Sequence, residues 1–103
     1  MLTLEAVRQE WDEGNRRFEN AARDPVLRPR LLAQLEVVVD ELRKRVGQTF
    51  TLDDLARVYG DADRWVQEAV SEHAATPGWP RLLSVVQDAA FYSYQRGAVD
   101  YTP

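Results

Sequence analysis

Leu31, Leu35, Val38, Leu42 and Val46 follow one another at steps of four, three, four and four residues, flanked by Leu32 and Val39. That spacing gathers the aliphatic side chains on one face of an α-helix. A strand cannot satisfy it, because strand faces alternate every second residue. Gly47 supplies the stop, and Arg43, Lys44 and Arg45 fill the last turn, where cations interact favourably with the helix dipole. The stripe has to be buried against something, and the rest of the chain offers only further helices to do it.

A first helix is predicted from a Thr3 cap to about Arg23, with Leu4, Val7, Trp11, Phe18 and Ala22 as a narrow apolar stripe. Gly14 and Asn15 interrupt that stripe, and a gentle bend is expected there. Asp24-Pro25 reads as a cap followed by a first helical residue, with Pro29 as an alternative start one turn later. The short link between two striped helices suggests an antiparallel hairpin with coiled-coil-like packing. That hairpin is compatible with both helices simply lining a common core, which is the preferred reading of the two stripes. Thr51 caps a third helix over 52–59, with Asp54 in the capping-box position. Asp61 caps a fourth helix to about Ala75. Thr76-Pro77-Gly78-Trp79-Pro80 forms a turn, and a fifth helix runs from Pro80 to Arg96 before Gly97. The expected fold is all-α: one domain over 1–103, a small bundle of about five helices with an N-terminal helical hairpin and a helix-turn-helix-like pair in the middle.

Composition excludes several function classes. The 103 residues carry 45% hydrophobic and 29% charged side chains, which is globular rather than disordered. No apolar run approaches the ~20 residues of a membrane span, and the N-terminus lacks signal-peptide character. The reading is a soluble, cytoplasmic protein. Without cysteine there is no disulfide framework, thiolate nucleophile or cysteine zinc site. The single histidine, His73, falls within the apolar arc of the fourth helix, where a hydrogen-bonded core role is expected ahead of metal ligation. Nucleophile elbows, phosphate loops and dinucleotide fingerprints are missing. Paired carboxylates such as Glu10/Glu13, Asp53/Asp54 and Asp61/Asp63 fit caps and solvated faces. The expectation is therefore no enzyme, no cofactor and no metal.

Residues 49–75 combine the shape of a helix-turn-helix with the wrong charge. Leu55 and Ala56 fall where its first helix would pack on the second, Gly60 at the turn, and Val66 and Ala69 where the second packs back. Two arginines face six acidic residues there, a net of −4 that equals the charge of the whole chain. Arg64 and Gln67 are the plausible base readers of such a pair. Asp63, Glu68 and Glu72 beside them would repel phosphates, whose neutralisation drives most DNA affinity. Arg43, Lys44 and Arg45 form a basic cluster elsewhere. Residues 1–48 nevertheless balance at nine basic and nine acidic. A DNA-associated or transcription-related role is thus the second reading.

Recognition of a protein is the first reading. Phe91 points away from the broad apolar arc of the fifth helix, among Ser84, Gln87, Asp88 and Gln95. Val37 likewise points away from the leucine stripe. Trp79 sits in a proline-framed turn. Aromatic side chains isolated on polar surfaces are typical interface anchors. Phe91, Trp79 and Val37 are therefore the expected contact residues of an interaction module or adaptor, whose partner is a protein, a second copy of the chain included.

Overall fold

In the computed structural model, which describes residues 3–70 and 79–99, the last helix is the axis on which the others are laid. Five helices follow in order: α1 (Leu4–Ala21), α2 (Leu27–Val46), α3 (Leu52–Gly60), α4 (Ala62–Ala69) and α5 (Trp79–Gln95). Every residue over 85–91 of α5 is buried. A helix buried on all sides must sit inside the others. The all-α expectation holds, with no strand among the described residues.

The local signals place the helix ends. Thr3 Oγ1 accepts from Ala6 N at 3.1 Å. Thr51 and Asp54 form a complete capping box, each side chain accepting from the other residue's backbone N–H at 3.1 Å. Hydrogen bonds with Thr51, the backbone N–H above all, and the nearby Arg57 hold the Asp54 carboxyl below its usual range. Asp24 caps the turn ahead of α2 and not the helix itself, whose N-cap is Val26. Its Oδ1 accepts from Val26 N at 2.8 Å, and its carbonyl accepts from Arg28 N at 2.9 Å, although regular helix begins only at Leu27. Gly47 ends α2 at φ +81°, the left-handed geometry that glycine adopts without a Cβ penalty. Asp61 departs from expectation. It makes no side-chain cap, because its carboxylate pairs instead with Arg64 at 2.7 Å. The expected continuation of the fourth helix to Ala75, with His73 and the turn from Thr76, lies outside the described residues.

The first two helices run antiparallel, as the hairpin expectation has it, but without a close seam between them. α1 lies along α5 and meets α2 only slightly, while α2 also packs mainly on α5. The two therefore line a common core rather than sharing a private seam. Arg8 and Asp12 reach Gln95, Gly14 meets Asp88, and Arg17 and Ala21 share a groove with Arg81 and Leu82. Position numbers rise along α1 as they fall along α5, so the pair is antiparallel. The C-terminal ends of α2 and α5 also meet: Phe50 packs on Tyr94 at 5.5 Å, and Val99 N donates to Phe50 O at 2.7 Å. Leu31, Val38 and Leu42 are fully buried, whereas Leu35 and Val46 are half-buried.

Gly14 explains the close approach of α1 to α5. α1 runs through it without interruption, and a Cβ placed there would lie 2.1 Å from the Asp88 Cβ. The residue marks a close contact between the two helices. Gly14→Ala gains about 1 kcal/mol of helix propensity, but it must push two helix backbones apart. A net loss of about 1–3 kcal/mol is expected from such overpacking, read as a lower urea midpoint. An unchanged or higher midpoint would contradict the crossing.

Candidate functional site

Phe91, the leading contact residue from sequence, is 0% exposed. It stacks on Trp11 with ring centroids 5.5 Å apart, meets Tyr59 edge-on at 4.9 Å, and lies 6.2 Å from Trp65. This corrects the expectation of an exposed anchor, and the reason is specific. Three of the polar residues beside Phe91 on α5 bond to other helices, while Ser84 stays exposed. Gln87 Nε2 donates to Asp63 at 3.0 Å, Gln95 Nε2 donates to Asp12 at 3.0 Å, and Asp88 accepts from Tyr59 at 2.7 Å. A face that reads as solvated is covered by α1, α3 and α4. Val37 is half-buried, with part of its side chain packed against the core. Trp79 opens α5, and its side chain lies outside the described residues.

The cations that a nucleic-acid role would use are exposed, but each has an acidic neighbour. Arg43 pairs with Asp40, Lys44 meets Glu41 at 3.8 Å, and Arg45 meets Glu41 at 3.6 Å. The Arg45 guanidinium also lies 4.8 Å above the Trp65 ring. Arg64 is paired with Asp61 as described, and Gln67 is exposed beside Asp63 and Gln87. Surface pairs of this kind add little stability, but they leave each cation partly neutralised before any phosphate arrives. A single residue, Asp61, separates α3 from α4.

Sequence reasoning misses a buried polar cluster at the junction of α1, α3 and α5. Asp88 is 7% exposed and accepts from the Tyr59 hydroxyl, which also lies 3.5 Å from Glu10 Oε2. Burial pushes the Asp88 carboxyl up to about 6; the Tyr59 hydrogen bond and Arg17 work against this, and Glu10 and Asp63 work with it. Burial likewise raises the Tyr59 hydroxyl above its ordinary range, aided by Asp88. A carboxyl held near neutrality resembles a general acid–base. Gly14 packs against the Asp88 Cβ, and Tyr59 holds its Oδ1. The interruption of the first apolar stripe by glycine is the signal in the sequence, since mid-helix glycine implies a close neighbour.

Among the described residues, the outer flank of α2 carries a partly open apolar edge. Leu32 is 41% exposed, and Leu35, Val39 and Val46 are half-buried. At ~100° per residue these four fall within about 60° of arc. Val26, 73% exposed, stands apart on the turn before α2. Among the described residues no group of acidic or imidazole side chains is placed to hold a metal, and no helix is long and apolar enough to cross a membrane. No protein-family model matches the chain, and neither a curated protein nor a solved structure matches it.

Proposed function

We propose that the chain is a non-enzymatic protein-interaction module, an adaptor whose contact surface is the flank of α2 formed by Leu32, Leu35, Val39 and Val46. The supporting observation is that half-open stripe. Four large aliphatic side chains share one edge of a long helix, and the bundle covers them only in part. Contiguous exposed apolar surface bordered by charge is what protein partners bury. Here the border is Arg28, Glu36 and Arg43, all exposed. A cytoplasmic setting belongs to the same proposal.

Leu32→Glu separates this reading from its rival. The side chain is already partly in water, so the far-ultraviolet circular dichroism and melting temperature should stay near wild type. Co-purification of a protein partner from the native host should be lost. Arg64→Ala should leave that partner bound. The rival, DNA contact through α3 and α4, calls instead for a salt-sensitive gel shift with duplex DNA that disappears on Arg64→Ala. That result, together with a partner retained by Leu32→Glu, would overturn the proposal.

A further inference from the structure

The α2 flank carries the spacing and the charges of a self-complementary seam. Leu32, Leu35, Val39, Leu42 and Val46 are separated by three, four, three and four residues, the spacing of alternating a and d positions in a heptad repeat. Leu42 is fully buried within its own bundle and forms the floor. The other four stand beside it as knobs. We infer that the partner is a second copy of this chain, docked antiparallel through α2. This rests on the reading of that flank as the contact surface.

Charge decides for a copy and for its direction. With Leu32 at an a position, Glu36 and Arg43 both fall at e, seven residues apart and both exposed. In an antiparallel helix pair, e positions face e positions. A two-fold axis near Val39 then sets Glu36 opposite the partner's Arg43, which adds Glu36 to its intrahelical partner Asp40, and the symmetry repeats the pair. Opposite charges at these positions select partner and orientation. A parallel pair would instead set e against g. The g positions are Leu31 and Val38, both fully buried, and Arg45, which covers Trp65. Leu31 and Val38 offer a second helix nothing, and Arg45, though exposed, is already engaged by Glu41 and the Trp65 ring. A two-fold interface uses one patch on both copies, and this patch holds both halves of its own charge pair.

Sedimentation equilibrium of the full chain over a wide concentration range tests the inference. The wild type should move from 11.8 kDa toward twice that mass. Leu32→Glu should stay monomeric with an unchanged circular dichroism spectrum. Glu36→Arg and Arg43→Glu should each weaken dimerisation by at least about tenfold, since each turns two attractive pairs into repulsive ones. The double variant, Glu36→Arg with Arg43→Glu, should recover most of the wild-type affinity. Recovery also shows that the single variants fold, because both positions are solvent-exposed. A wild type that is monomeric throughout overturns self-association, and the pull-down with Leu32→Glu then tests the contact surface independently of it. A dimer that Leu32→Glu disrupts but neither charge reversal weakens overturns the antiparallel register.

Discussion

Phe91→Ala should lower the unfolding free energy by about 3–5 kcal/mol, a large share of the roughly 5–15 kcal/mol that holds an ordinary domain together. The ring is fully buried and is enclosed by Trp11, Tyr59 and Trp65, one side chain from each of α1, α3 and α4. Truncation therefore removes contacts that tie three helices to α5, and it leaves a cavity whose rigid aromatic walls relax poorly. Phe91→Asp should go further and leave the chain unfolded at neutral pH, because it buries an unpaired carboxylate on the same helix as buried Asp88. Urea titration followed by circular dichroism reads both. A cost below about 1 kcal/mol for Phe91→Ala would place the ring outside the core.

Stability should fall as pH rises from about 4 to 7, opposite to the usual acid denaturation. The Asp88 carboxyl has an ordinary value of 3.8 and is raised to about 6 in the folded protein. The folded state thus holds this proton more tightly than the unfolded chain does. The resulting stability is fully present below about 4 and is lost as pH rises through about 6. A shift of this size corresponds to on the order of 2–3 kcal/mol. Asp54, whose carboxyl is lowered, acts in the other sense and below that window. Asp88→Asn can still accept from the Tyr59 hydroxyl while carrying no charge. It should flatten the profile and be more stable than wild type at about pH 7.5. Urea midpoints at about pH 4.5, 6.0 and 7.5 decide the matter. A flat wild-type profile, or a variant with the wild-type slope, would contradict the geometry of the cluster.

Local features of the fold are legible in the sequence, and pairings between helices are not. The Thr51–Asp54 box, the Asp24 turn ahead of α2 and the Gly47 stop depend on residues within a few positions of one another, and each is present. The laying of α1 on α5 joins residues about as far apart as Arg8 and Gln95, and no local spacing encodes it. Phe91 is misread for the same reason. A helical wheel counts Gln87, Asp88 and Gln95 as solvated, yet their partners Asp63, Tyr59 and Asp12 come from three other helices. Leu35 lies at the centre of the second stripe by spacing, but Leu31, Val38 and Leu42 are the residues buried completely. The candidate surface is half visible. Leu32 and Val39 stand beside the stripe in the sequence, but only the lack of a close α1–α2 seam leaves them open.

The position of α5 at the centre of the bundle removes Phe91 from any surface, while the α2 flank stays partly open. Native-state amide hydrogen exchange tests that claim most directly. Amides over 86–91 of α5 should be the slowest in the protein, opening only with global unfolding, while those of the short α3 and α4 exchange through smaller fluctuations. Protection at 86–91 no greater than in α3 would mean that α5 is peripheral, and it would make Phe91 a contact residue again.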